Sequence, residues 1–177
     1  MNIPFPLFHH TGRVPFPVST AERFTLEERQ RGEFIHRVLL LVEDTAEGLE
    51  DTLSRAIRQV KVEMRIDLPD RSVMEPLIRM LRSGEMADYF TRAPGREFKK
   101  EQEFSDGEGR LFRMDRLVVE RDRVTVVDYK TGMERDAEKR DEAQVRNYIK
   151  ILRGVYPAQG IEGVIAYIDL GEVMKIT

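Results

Sequence analysis

The sequence predicts an α/β (α+β) protein in which a helical N-terminal half precedes a β-sheet and one further helix. Apolar residues recur with a helical period up to about residue 92, and from Arg96 onward they alternate with a period of two. In addition, residues 113–132 have the pattern of two apolar strands joined by a short polar turn. We therefore expect the sheet in the second half of the chain.

The length and composition indicate one globular domain. With 177 residues, of which 41% are hydrophobic and 34% charged, the chain can bury one sizeable core. No apolar run is long enough to cross a bilayer, and the N-terminus lacks the layout of a signal peptide. We expect a cytoplasmic protein without a membrane partner. The chain ends in or just after a predicted strand, which suggests a module of a longer protein.

Composition also restricts the chemistry. The absence of cysteine excludes disulfides, thiolate zinc sites and iron–sulfur clusters, so oxygen and histidine must hold any metal. No phosphate-binding loop or dinucleotide fingerprint is present, and we expect no bound nucleotide. A net charge of −3 argues against tight nucleic-acid binding by charge alone. It leaves nucleic acid open as a substrate, because a bound metal restores positive charge locally.

The first half should contain an arm and then helices. Residues 1–22 are proline-rich and predict an extended arm before a single domain over residues 23–177. Thr25 and Glu28 have the spacing of a capping box, which predicts a helix to about Asp44. Most of its second half is apolar on every side, as in a buried helix, so His36 should point into the protein.

Two further helices complete the helical part, residues 25–92. Residues 47–64 carry a clean apolar stripe and predict the second helix. Ser72 and Glu75 repeat the capping-box spacing and predict a shorter helix that stops at Gly84. We interpret both helices as scaffold.

Residues 95–177 should contain the sheet and a helix. The polar strand at residues 96–104 should be an edge strand or line a wet cleft. After the central hairpin, residues 137–153 predict a helix, and residues 161–169 and 173–176 predict the last strands.

The central hairpin brings two aspartates together. If its turn is centred on Arg121-Asp122, Glu120 pairs with Arg123, and Asp115 then lies opposite Asp128 with Cβ atoms roughly 4.5–5.5 Å apart. Two carboxylates at that distance raise each other's pKa unless a cation lies between them. A loop with an odd number of residues would instead set them on opposite faces.

The same pattern fits an exposed strand face. Asp115 and Asp128 would then form surface salt bridges with neighbours such as Arg113, Arg116 and Lys130. The pattern alone favours neither interpretation.

Other polar residues could join the aspartates in one site. The candidates lie on three consecutive predicted strands and on the flanking helices: Glu101, Asp115, Asp128 and Lys130, with His36, Gln144 and Tyr148. Carboxylates with an imidazole suit Mg²⁺ or Mn²⁺. A lysine beside such a metal can contact a phosphate or a nucleophilic water, which indicates phosphodiester hydrolysis.

Five segments resemble motifs of the PD-(D/E)XK nuclease superfamily, and within it the nuclease domain of RecB- and AddA-type helicase–nucleases. They occur in the order of the family, at residues 31–36, 101–104, 114–118, 127–132 and 144–148. Val127 to Gly132, Val-Asp-Tyr-Lys-Thr-Gly, matches without a gap. Glu103 stands where the family usually has proline.

The resemblance implies a restriction-endonuclease-like core, a central mixed sheet flanked by helices. It implies Asp115, Asp128, Lys130 and Glu101 as catalytic residues. Metal ligands would be His36, Asp115, Asp128 and the backbone carbonyl of Tyr129. Gln144 and Tyr148 would orient Lys130 or the DNA.

For function, the resemblance implies a deoxyribonuclease that uses Mg²⁺, or Mn²⁺, with exonuclease activity as the preferred assignment. The expected partners are DNA, especially single-stranded ends, and a helicase motor domain in the same chain or complex. Its role would be DNA end resection in recombination and double-strand-break repair. The alternatives are a catalytically decayed module that binds DNA as a scaffold and a stand-alone phage-type exonuclease.

Overall fold

A computed structural model describes residues 26–45, 48–133 and 137–177. The proline-rich arm, the proposed cap at Thr25 and the proposed helix start at Glu47 lie outside these residues. Within the described part of the chain, no helix is long and apolar enough to cross a membrane.

The described residues form helices in the first half and a sheet in the second, which confirms the predicted fold class. The helices are α1 (Leu26–Leu41), α2 (Leu49–Met64), α3 (Asp70–Leu81), a short 3-10 helix (Ala87–Phe90) and α4 (Glu138–Val155). The strands are β1 (Glu97–Ser105), β2 (Leu111–Val119), β3 (Arg123–Lys130), β4 (Gly160–Tyr167) and β5 (Glu172–Ile176).

The five strands form one mixed sheet in chain order, with β1 at one edge as predicted. Neighbouring strands are antiparallel except β3 and β4, which are parallel and joined through α4. The crossover helix therefore covers one face of the sheet, and α1, α2 and α3 cover the other.

The alternation of β3 separates the two cores. Val127 and Tyr129 pack against the helices of the first half. Val124 and Val126 pack on the other face, against α4. Because side chains alternate along a strand, Asp128 and Lys130 continue the face of Val124 and Val126 towards α4.

The predicted start of the third helix was wrong. Helix α3 begins at Asp70, and Ser72 lies in its first turn instead of capping it. The Ser72 hydroxyl donates to the carbonyl of Pro69 at 2.7 Å, three residues back, which a residue inside the turn can do. The capping-box spacing was therefore coincidental here.

The hairpin register agrees with a turn centred on Arg121-Asp122. Glu120 N–H donates to the carbonyl of Arg123 at 2.8 Å, and the ladder runs from Val119–Val124 to Arg116–Val127. The one-residue slip considered from the sequence does not occur. The next step along both strands leads to Asp115 and Asp128.

Candidate active site

The ladder between β2 and β3 ends where the candidate site begins. Its last pair is Arg116 with Val127, and a continued ladder would next bond Tyr129 to Met114. Instead, the N–H of Tyr129 donates to Oδ2 of Asp115 at 2.8 Å. A side-chain carboxylate thus replaces a backbone acceptor, and this fixes Asp115 beside the end of β3.

The alternation of side chains along β2 is also interrupted at this point. Met114 and Leu117 both pack in the core beside α4, although residues three apart in a regular strand face opposite sides. Arg116 points the other way, donating to the carbonyls of Val42 and Tyr89. The loss of alternation therefore falls on Asp115 and Arg116.

Strand β1 is also distorted, at the residue that lies opposite Asp115. Lys100 pairs with Arg116 and Gln102 with Met114, so Glu101 stands opposite Asp115 with no residue inserted in either strand. Glu101 has a φ of 47°, in the left-handed region. Such a conformation costs about 1–3 kcal/mol for a non-glycine residue, and it is concentrated at functional sites.

Helix α1 brings His36 to the exposed side of Asp115. Its Nδ1 lies 3.4 Å from Asp115 Oδ1, and its ring meets the edge of Tyr129 with centroids 5.8 Å apart. His36 is half-buried and points towards Asp115. Burial lowers the pKa of His36, but Asp115 and Asp128 raise it, and the net shift is upward.

A glycine allows this close approach. A Cβ atom at Gly32 of α1 would lie 2.8 Å from the Thr131 hydroxyl oxygen, which directly follows β3. A larger residue would force the Thr131 side chain or the helix itself to shift. The position of His36 therefore depends on Gly32, one turn earlier in the same helix.

Asp128 is a buried carboxylate. Only 3% of the residue is exposed, and burial, reinforced by the charge of Asp115, raises its pKa to about 6. Lys130 Nζ approaches its Oδ2 at 2.7 Å. This is a charge contact without hydrogen-bond alignment, so Oδ2 has no aligned donor among the described residues.

Two side chains of α4 follow Lys130 in a chain of hydrogen bonds. Lys130 Nζ donates to Gln144 Oε1 at 2.9 Å, and Gln144 Nε2 donates to the Tyr148 hydroxyl at 2.5 Å. The hydroxyl donates in turn to the carbonyl of Arg113 at 3.3 Å. The ammonium is thus tied to α4 and through it to β2.

The sequence interpretation missed Asp141. Its Oδ1 lies 3.7 Å from Lys130 Nζ, and the residue is buried near the start of α4. Asp141 precedes Gln144 by three residues, a helical spacing that could have indicated a shared target. Burial lowers the pKa of Lys130, but Asp128 and Asp141 raise it by more. The net shift is upward, so Lys130 stays protonated.

A second missed feature is the pair of Arg31 and Asp169. The Arg31 guanidinium binds both carboxylate oxygens of Asp169, at 2.9 and 2.6 Å, and the N–H of Gly132 donates to the same carboxylate at 2.7 Å. Burial raises the pKa of Asp169, but Arg31 and Gly132 lower it more. The pair joins α1 to the loops after β3 and β4.

The structure contradicts the exposed-face interpretation of the hairpin. Asp128 is buried, and Arg116, offered as a surface partner, is itself 1% exposed. Its guanidinium lies 3.8 Å from the centroid of the Phe90 ring, on the face opposite to Asp128. Neither residue is part of a solvated charged surface.

The donor atoms of the site are of the kinds that bind a divalent cation. The described residues contain no group of three or more His, Asp or Glu side chains already at metal-binding separation. Asp128 nevertheless presents a buried oxygen without an aligned donor, beside a second carboxylate. Such an arrangement suits a hard cation, with a backbone carbonyl or imidazole completing the coordination.

The predicted residues therefore fall into two contact groups and one neighbour. His36, Asp115 and Tyr129 contact one another. Asp128, Lys130, Gln144 and Tyr148 form the second group, and Tyr129 joins the two because it lies between Asp128 and Lys130 in β3. Glu101 faces the same cleft as His36, and its carboxylate lies 4.0 Å from Arg113.

The chain matches a family of known proteins. A family model described as the PD-(D/E)XK nuclease superfamily matches residues 8–176, nearly the whole chain. A search among curated proteins gave no match.

Proposed function

The chain belongs to the PD-(D/E)XK nuclease superfamily, and from this premise we propose that it is a metal-dependent deoxyribonuclease. The observation that carries the proposal is that Asp115 binds the N–H of Tyr129, the residue between the buried, ion-paired Asp128 and Lys130, closely enough for its charge to raise the pKa of Asp128. Two carboxylates and an ammonium at one end of a strand have the chemistry that phosphodiester hydrolysis requires.

Within the superfamily, we favour an exonuclease of the RecB and AddA type. Support comes from five motif-like segments in the order of that group. We accordingly propose single-stranded DNA ends as substrate and a helicase motor in the same chain or complex. The cellular role would be DNA end resection for recombination and double-strand-break repair in the cytoplasm.

Four groups of this chain would hold the metal ion. They are the carboxylates of Asp115 and Asp128, the carbonyl of Tyr129 and the imidazole of His36. We propose Mg²⁺, with Mn²⁺ as an effective substitute because it tolerates a nitrogen ligand better. When bound, the ion lowers the pKa of water and offsets charge on the phosphoryl oxygens.

The remaining site residues act as positioning and charge-stabilising groups. Lys130 offers N–H donors to a phosphoryl oxygen or to the attacking water, and it stabilises the negative charge that develops as water adds to phosphorus. Gln144, held by Tyr148, keeps the ammonium on the Asp128 side of the strand. Water is consumed, the bond from phosphorus to a sugar oxygen breaks, and that oxygen leaves protonated.

A hydrolysis assay on defined DNA tests this function. The wild type is incubated with Mg²⁺ or Mn²⁺ and with end-labelled linear single-stranded, linear duplex and circular DNA. We expect the linear single strand to be degraded and Lys130→Ala to be at least about 100-fold slower. Lys139→Ala, a lysine in the first turn of α4, serves as the control and should match the wild type.

Other results of this assay would contradict the nuclease proposal in whole or in part. If the wild type degrades no DNA, or degrades it no faster than Lys130→Ala, the nuclease proposal is wrong. DNA binding without degradation would favour a decayed scaffold module. Cleavage of the circular DNA would exclude a strict exonuclease.

A further inference from the structure

A cleft opens above the candidate active site, between α1 and the strands. It has a volume of about 300 Å³ and is lined by Gly32, Glu33, His36, Arg37, Glu101 and Arg113. The α1 residues form one wall, and Glu101 of β1 with Arg113 of β2 forms the other. His36 lies 3.4 Å from Asp115, so the cleft leads directly to the site.

Three carboxylates lie in or beside this cleft. Glu33 and Glu101 line it, and Asp115 lies next to it beside His36. A DNA backbone carries one negative charge per phosphate, and nearby carboxylates repel it. Phosphates that flank the reacting bond therefore need cations supplied by the walls of the cleft.

Two arginines in the walls have guanidinium groups available for this. Arg37 is exposed, and within the described part of the chain it forms no ion pair. The side chain of Arg113 is 63% exposed, and Glu101, at 4.0 Å, is at the limit of an ion pair. A guanidinium has five N–H donors and binds phosphate through two of them at once.

A second cleft of comparable size differs in the ion pairing of its basic side chains. It is lined by Glu43, Arg92, Arg96 and Lys100 among others. There Arg92 lies 2.6 Å and Lys100 3.4 Å from Glu43, and Arg96 is paired with Glu120. Each of these cations is already in contact with a carboxylate, whereas Arg37 and Arg113 have no close ion pair among the described residues, and this distinguishes the cleft at the active site.

We infer that Arg37 and Arg113 bind successive phosphates of a DNA strand from opposite walls of this cleft and thereby hold the strand over Asp115. The inference rests on the proposed nuclease function, because it assigns the substrate contacts of the same site. It adds binding residues that lie outside the motif positions with expected roles.

Equilibrium binding tests the inference. A fluorescent single-stranded oligonucleotide is titrated with the wild type, Arg37→Gln, Arg113→Gln and Arg58→Gln in Ca²⁺, and its integrity is checked afterwards. Arg58 is an exposed arginine of α2 and serves as a matched control. Each cleft variant should raise Kd about 10-fold and lower the salt slope by about 0.7, while Arg58→Gln matches the wild type.

The lysine variants separate charge from geometry. Arg37→Lys and Arg113→Lys should keep the salt slope and recover only part of the affinity, because an ammonium lacks the planar pair of donors. If both glutamine variants bind like Arg58→Gln, or the wild type binds no DNA, the inference is wrong. A wild type that binds through both arginines but never hydrolyses DNA would overturn the nuclease function and leave this binding cleft supported.

Discussion

The ammonium of Lys130 donates a 2.9 Å hydrogen bond to Gln144 and so joins the end of β3 to the middle of α4. Gln144 is itself fixed by the Tyr148 hydroxyl. The side chain of a lysine has several rotatable bonds, and these contacts select one of its conformations. The orientation of the ammonium therefore depends on a neutral side chain from another element.

Gln144→Ala should reduce the rate of DNA hydrolysis about 10-fold with little change in substrate affinity. The variant removes an acceptor from a positioning residue and leaves Asp128 and Lys130 in place. Steady-state kinetics with kcat and KM determined separately measure the effect. Asn147→Ala on the same helix is the control, and an effect of equal size there would show that Gln144 has no special role.

Glu101→Gly should leave the protein as stable as the wild type, or more stable by about 1 kcal/mol, and should lower its activity. Glycine adopts the left-handed conformation of this residue without strain, whereas the carboxylate is lost. Urea unfolding measures the stability. Gln102→Gly, at the next residue, should destabilise the protein by about 1 kcal/mol, and a similar loss at Glu101 would contradict the strain argument.

Gly32→Ala should destabilise the protein by about 1 kcal/mol, despite the higher helix propensity of alanine. The added methyl group meets the Thr131 hydroxyl, and the cost of overpacking exceeds the gain in propensity. The double variant Gly32→Ala/Thr131→Ala should recover most of the loss. Additive effects of the two substitutions in urea unfolding would show that the two residues do not clash.

Asp169→Asn should cost about 2 kcal/mol at neutral pH, because it removes the charge that Arg31 binds. The pKa of Asp169 is below its usual value of 3.8, so its contribution is present above that pH. As the pH falls through the folded pKa, the wild type should lose this contribution and approach the variant. Urea unfolding at several pH values measures it.

Asp51→Asn, an exposed carboxylate of α2, provides the control for this pH dependence. It should differ little from the wild type at any pH. A difference between wild type and Asp169→Asn that stays constant down to strongly acidic pH would show that the ion pair does not carry the effect.

Much of the fold was predictable because it is encoded locally. The apolar stripe of α2 and the two-residue turn at Arg121-Asp122 depend on residues close in the chain. The hairpin register followed from the turn, and it set Asp115 and Asp128 in the same row, one step beyond the last pair of the ladder. The start of α3 was missed because Ser72 bonds back to Pro69 within the first turn.

The structure places the predicted site residues near one another, but their geometry was not predictable from the sequence. The break in side-chain alternation along β2 at Asp115 depends on Arg116. Its guanidinium binds the carbonyls of Val42, near the end of α1, and of Tyr89, in the 3-10 helix. The pair of Arg31 and Asp169 joins residues far apart in the chain, which no local pattern reports. Such tertiary contacts decide which side of a strand a charged residue occupies.

The most direct test of the metal-dependent site is the single-turnover rate of linear DNA hydrolysis in Mn²⁺, before and after excess EDTA. Asp128→Ala is measured beside the wild type, and its folding is checked by circular dichroism. We predict hydrolysis by the wild type that EDTA abolishes, and a rate at least about 100-fold lower for folded Asp128→Ala. Hydrolysis that persists in EDTA, or proceeds equally in the variant, would contradict the account.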